Sequence, residues 1–128
     1  MVIIFIIGTA GSGKSLLTSS LNELLKVGKQ KSITVNLDPG VLNLPYAPDI
    51  DIRNKINIQN IMEDYRLGPN GALVLASDLI AEEAENIGKD IEEIQSDVVL
   101  VDTPGQMELF AFRASGPYIA NELTDQKK

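Results

Sequence analysis

The spacing of apolar positions changes several times along the chain, and each change marks an element. Val2-Ile3-Ile4-Phe5-Ile6-Ile7 is apolar throughout and rich in β-branched residues, the pattern of a central strand covered on both faces of a parallel sheet. From Lys14 the spacing becomes helical, with Leu17, Leu21, Leu24 and Leu25 on one side and Gly28 as a stop. Ser32-Ile33-Thr34-Val35-Asn36-Leu37 reads as a second strand, closed by Asp38-Pro39-Gly40. The strand-to-strand interval suits a βαβ unit, and so parallel pairing. Residues 41–57 contain Pro45 and Pro48 and predict a long irregular loop.

Ile58, Ile61, Met62 and Tyr65 then mark one face of a short helix. Gly68 falls where a helix C-terminal glycine belongs and Pro69 blocks continuation, so Gly68-Pro69-Asn70-Gly71 is expected to be a tight turn. Residues 72–76, ALVLA, would pass alone for a strand. However, Leu73, Ala76, Ile80, Ala84, Ile87, Ile91 and Ile94 continue one apolar stripe for about six turns, which predicts a helix. Gly88 is a point where that helix can break. Glu82, Glu83, Glu85, Asp90, Glu92 and Glu93 form its solvated face. Asp97-Val98-Val99-Leu100-Val101-Asp102 reads as a third buried strand, and beyond it the pattern is unclear.

Composition narrows the chemistry. The chain has 128 residues, one domain or less, with 18 acidic residues against 11 basic ones and a net charge of -7. Its basic residues are scattered, which argues against a direct nucleic-acid partner. With no cysteine and no histidine, disulfides, thiolate zinc sites and histidine-based triads are excluded. A metal must then be a hard ion held by oxygen, such as Mg2+. The six-residue run VIIFII is too short for a signal peptide or a membrane span. A cytoplasmic protein without membrane contact is expected.

Gly8-Thr9-Ala10-Gly11-Ser12-Gly13-Lys14-Ser15 fits G-x-x-x-x-G-K-[ST] and lies between the first strand and the first helix. Glycines let backbone amides curl around phosphate oxygens, and the helix N-terminus adds partial positive charge. Lys14 reaches the β and γ phosphates, and Ser15 offers a hydroxyl to Mg2+. A carboxylate near the metal is needed, and Asp102 ends VVLVD in the expected place. Its continuation, Asp102-Thr103-Pro104-Gly105-Gln106, resembles the γ-phosphate sensor of GTPases. Asp38 closes strand two on the same sheet edge, where ligands of open α/β folds collect. Alone, Asp38-Pro39-Gly40 is a turn; beside a phosphate loop, its carboxylate is a candidate for the metal's outer shell or for orienting water.

Together GTAGSGKS, VNLDPG and DTPGQMELFAFR, joined by LPYAPDIDIR and LGPNG, resemble the GPN-loop GTPases, within the nitrogenase-iron-protein and MinD-like branch of P-loop proteins. The resemblance covers nearly the whole chain. It implies an α/β, three-layer P-loop NTPase fold with a mostly parallel sheet, and GTP hydrolysis with Mg2+ by a nucleotide-switched homodimer. It implies a phosphate loop of Gly11, Ser12, Gly13, Lys14, Ser15 and the backbone of Leu16, with Mg2+ held through Ser15 and Asp102. For the hydrolytic water it suggests Asp38, Gln106 and Glu108. The motif residues Gly68, Pro69 and Asn70 would lie at the dimer interface, with Asn70 reaching the partner's γ-phosphate region.

Two departures stand out. The family's guanine-reading [NT]-K-x-D motif is missing, since Thr124-Asp125-Gln126-Lys127 has similar letters in the wrong order. Residues 1–128 are therefore expected to be the N-terminal portion of a single, truncated GTPase domain. Gly40 also stands where alanine is expected. Two other readings remain. One is an ATP-using P-loop enzyme, a small kinase or MinD-like ATPase, although Thr9 and Ala10 occupy the place of the second lysine that MinD-like proteins carry. The other is a nucleotide-binding fragment without turnover. A client protein is expected, its identity unknown.

Overall fold

A computed structural model describes residues 1–7 and 13–103. Four strands form one sheet: β1 (Val2–Ile6), β2 (Ser32–Asn36), β3 (Ile50–Asp51) and β4 (Val98–Asp102). Their spatial order is β1-β4-β2-β3, and every pairing is parallel. Helix α1 (Lys14–Val27) follows β1, while α2 (Ile58–Asp64) and α3 (Pro69–Ile94) lie between β3 and β4 in the chain. This is the α/β arrangement the sequence predicts.

The strand alternation sorts the sheet's two faces. Ile33, Val35, Val99 and Val101 join Ala72, Ala76, Ile80, Ala84, Ile87 and Ile91 of α3 in one apolar core. The three alanines keep that face of α3 low, so that its isoleucines reach the sheet. The 26-residue helix is unbroken, and Gly88 is buried within it. A mid-helix glycine costs about 1 kcal/mol relative to alanine. Burying Ile87 and Ile91 on either side returns roughly 1.5–3 kcal/mol each, so packing overrides local propensity. On the other face the fully buried residues of α1 are polar. Lys14 and Thr18 are buried, and Ser32 Oγ donates to Asn22 Oδ1 at 2.6 Å. Leu17 and Leu24, on the stripe expected to face inward, are exposed.

Several expectations need correction. β1 is an edge strand among the described residues, paired only with β4, and Val2 is 53% and Ile4 38% exposed. β4 takes the central place and separates β1 from β2, so the two ends of the βαβ unit are parallel but not adjacent. The stretch 41–57 is not wholly irregular. It carries β3 and a single 3-10 turn, Ile52–Asn54, and β3 is set beside β2 by paired bonds between Asp49 and Thr34: Thr34 N donates to Asp49 Oδ2 at 2.8 Å, and Asp49 N donates to Thr34 O at 3.0 Å.

Gly68 does not end α2. That helix stops at Tyr65, and Arg66 takes the left-handed conformation, φ 53°, that a glycine was expected to supply. Gly68 is instead the extended N-cap of α3, with Pro69 in the first helical position, where its missing N–H and fixed φ suit a helix start. The Gly-Pro-Asn motif is therefore a helix N-terminus rather than a turn.

Candidate phosphate and metal site

Parallel pairing brings all strand carboxyl ends to one edge. Ile6, Asp102, Asn36 and Asp51 line up across it in register. Two clamps fix the row's central residue. Thr103 donates to the Ile6 carbonyl through its hydroxyl at 2.8 Å, and Leu37 N donates to the Asp102 carbonyl at 2.9 Å. The loop leaving β1 therefore starts beside Asp102.

Gly13 caps α1 with φ 83°, a left-handed value that a Cβ would strain by about 1–2 kcal/mol. The first amide to bond back into the helix is Leu17 N, to Gly13 O at 2.9 Å. The amides of Lys14, Ser15 and Leu16 therefore lead the helix without intrahelical acceptors, as an anion site requires. The Leu16 side chain is exposed, so only its backbone belongs to the site.

Asp102 has no solvent exposure and Lys14 only 9%. Lys14 Nζ pairs with Asp102 Oδ1, while Oδ2 accepts from Ser15 Oγ at 2.9 Å and from Tyr46 Oη at 2.8 Å. A buried charge is tolerable only with such partners. Tyr46 was not expected at the site. Burial, then the Asp102 charge and hydrogen bond, push its phenol well above its ordinary range, so the hydroxyl stays a donor.

The donor set fits Mg2+. Ser15 and Asp102 offer hard oxygen donors within hydrogen-bond reach of each other. No group of three or more acidic or histidine side chains able to cage a metal occurs among the described residues. One carboxylate and one hydroxyl, with phosphates and waters completing the shell, is how Mg2+ is usually held.

Asp38 follows β2 on the same edge, and its Oδ1 accepts from Gly40 N at 3.0 Å, which tightens the Asp38-Pro39-Gly40 turn. A Cβ on Gly40 would meet Leu73 Cδ2 at 3.4 Å, ordinary contact, so the alanine expected there would fit. The same contact shows that the turn abuts the start of α3. A second polar cluster flanks it. Asn36 Nδ2 donates to Asp51 Oδ1 at 3.0 Å, and Arg53 grips both Asp51 oxygens at 2.7–3.0 Å. Burial opposes ionisation of Asp51, but the bonds from Arg53 and Asn36 outweigh it and hold its carboxyl below the ordinary value.

The structure thus gathers Gly13, Lys14, Ser15, Leu16 and Asp102, with Asp38 on the neighbouring strand end. Gly68, Pro69 and Asn70 start α3 on an exposed stretch. No hydrogen bond among the described residues links Asn70 to Lys14, Ser15 or Asp102. Gly11, Ser12, Gln106 and Glu108 lie outside the described residues.

Comparison with known proteins agrees with this geometry. Residues 6–128 match the family model described as "Conserved hypothetical ATP binding protein". The chain is 40% identical to GPN-loop GTPase 1 of Schizosaccharomyces pombe over 94% of its own length and 33% of that protein's. It is 42% identical to a GPN-loop GTPase of Pyrococcus abyssi over 96% of its own length and 49% of that protein's. The crystal structure of a GTPase in apo form from P. abyssi superposes with a TM-score of 0.83 at 41% identity, covering 96% of this chain and 49% of that one. The chain therefore spans about a third to a half of the length of these relatives.

Proposed function

The chain belongs to the GPN-loop GTPase family, and from that premise we propose that it is the phosphate-binding portion of a Mg2+-dependent GTP hydrolase acting as a nucleotide-switched homodimer. The observation that carries this reading is the cluster of buried Lys14 and Asp102 with half-buried Ser15 at the N-terminus of α1, where no side chain caps the leading amides. Phosphoryl transfer is catalysed mainly by positioning and charge stabilisation, and these residues suit both tasks. The leading amides of α1 bind phosphate oxygens, and Lys14 supplies a mobile positive charge. Ser15 and Asp102 would hold the metal, which would supply positive charge to the phosphates. Asp38, with Gln106 and Glu108, orients water.

Asn70 is part of the proposal as a residue acting on the partner's nucleotide. Its exposure at the first turn of α3, with no hydrogen bond to this chain's own Lys14–Asp102 cluster, supports that direction. A neutral amide suffices there, since it orients water or donates to a phosphate oxygen without proton chemistry. A cytoplasmic location and an unidentified client protein complete the reading. No helix among the described residues is long and apolar enough to cross a membrane.

The family description favours a second reading, in which the nucleotide is ATP. Displacement of a fluorescent guanosine nucleotide by unlabelled GTP and ATP separates the two. Stronger displacement by ATP would sink the GTP assignment.

A further inference from the structure

Arg53 joins two parts of the chain. Its Nε and Nη2 grip both oxygens of Asp51 at 2.7–3.0 Å, and its Nη1 donates to the Val41 and Leu42 carbonyls at 3.2 and 3.3 Å. Ile52, between Asp51 and Arg53 in the chain, is 1% exposed and roots the pair in the core. Asn36 makes a matching set of bonds from the end of β2. Fully buried, it accepts from Asp38 N at 3.0 Å, donates to Asp38 O at 3.2 Å and donates to Asp51 Oδ1 at 3.0 Å. A side-chain amide has two N–H donors, so both are in use.

Between these two holds lies the Asp38-Pro39-Gly40 turn. Asn36 fixes its backbone at Asp38, Arg53 fixes the chain just beyond it at Val41 and Leu42, and the two holds meet on Asp51. The Asp38 carboxylate follows that backbone, because its Oδ1 accepts from Gly40 N at 3.0 Å. A partly exposed ion pair adds little to stability, whereas a planar guanidinium fork fixes direction as well as distance. What the Asp51–Arg53 pair supplies is therefore geometry, delivered to the turn.

We propose that Asn36, Asp51 and Arg53 are positioning residues that aim the Asp38 carboxylate at the attacking water. They act through the turn and touch no reacting atom. The inference rests on the water-orienting role given to Asp38 in the proposed function, and it gives the Asp51-Ile52-Arg53 end of LPYAPDIDIR a task.

The test compares wild type with Arg53→Lys, which keeps a charge opposite Asp51 but has no fork to span Asp51 and the two carbonyls. Affinity for methylanthraniloyl-GDP is measured with Mg2+, then again with aluminium fluoride, which imitates the phosphoryl group in transfer and seats the attacking water. GDP alone should bind both proteins alike within about twofold, because positioning of the water matters only in the transition state. The tightening produced by aluminium fluoride should be roughly tenfold smaller in Arg53→Lys, short of the hundredfold or so that a misplacement of about 1 Å can cost. Asp51→Asn opens the same link from its other side and should behave likewise. Asp38→Asn should lose the tightening directly, and Arg53→Lys added to it should take away nothing more. Asp49→Ala loosens the same loop at Thr34 without touching the turn, and should keep the full effect. GDP affinity and tightening lost in equal measure, a further loss in the double variant, an equal loss in Asp49→Ala, or full tightening in Arg53→Lys each overturns the positioning role. If aluminium fluoride tightens nothing in wild type, the role of Asp38 falls and this inference with it. If wild type binds no GDP, the phosphate-site reading itself falls.

Discussion

In the nucleotide-free chain the Lys14–Asp102 pair should be a strong and measurable coupling. Asp102→Asn keeps the shape of the side chain but removes the charge that balances Lys14, which is only 9% exposed. Its new NH2 group would also face hydroxyls that now donate to Asp102. Breaking a buried pair from one side typically costs about 3–5 kcal/mol. Relaxation of the flexible lysine toward solvent brings the expected loss to about 2–3 kcal/mol. Lys14→Met should cost less, about 1–2 kcal/mol, because Ser15 and Tyr46 still donate to the carboxylate. In the double variant neither charge is stranded. The coupling energy from the double-mutant cycle should therefore be about 2 kcal/mol. Urea unfolding followed by circular dichroism, in EDTA and without nucleotide, gives all four stabilities. A coupling below about 0.5 kcal/mol would mean that the pair is not formed in the free protein, and the geometry argued for the site would be wrong.

Asn70→Ala should leave stability within about 0.5 kcal/mol, as expected for an exposed position, yet lower hydrolysis by the proposed homodimer roughly a hundredfold. Mixing it with Lys14→Ala chains should recover part of the activity, and no recovery in a confirmed heterodimer would count against action across the interface. Asp51→Asn should lose about 1–2 kcal/mol at pH 7, because the Arg53 fork and Asn36 bind the charged carboxylate. The folded-state pKa is lowered, so this stability is present above the ordinary aspartate value of 3.8 and fades as pH falls below it. Urea midpoints of wild type and variant should converge from pH 7 down to pH 3.

Much of this molecule was legible because local pattern and tertiary packing agree. The run 98–102 and the stripe from Leu73 to Ile94 form as their periodicity demands, and the helix from Lys14 forms where expected although Leu17 and Leu24 of its stripe stay exposed. The errors arise where one local signal serves two structures. Gly-Pro marks a helix end as readily as a helix start, and here Arg66 took the left-handed conformation that freed Gly68 to open α3. An all-apolar strand looks alike at the edge and in the centre, so β1 could not be told from β4 by composition. Lys14, Ser15 and Asp102 were found because their roles constrain residue type at fixed spacing. Tyr46 was missed because its partner lies 56 positions away, and nothing in a proline-rich loop announces so distant a contact. Its only trace was membership of LPYAPDIDIR, a segment recognised without a task assigned to its tyrosine.

The placement of β4 between β1 and β2 has a consequence for how the chain acquires its fold. Val2 pairs with Val98, which enters the chain 96 residues later. Until residues 98–102 are available, β1 has no neighbour, and β2 has only the two residues of β3. Such non-local pairing folds slowly, and during synthesis the strands made early must wait for the one made late. Asp102 is the last residue of that late strand. The phosphate loop is thus among the first segments synthesised, but it gains its counter-charge only when β4 pairs between β1 and β2, so competence to bind phosphate and formation of this parallel core should arrive together.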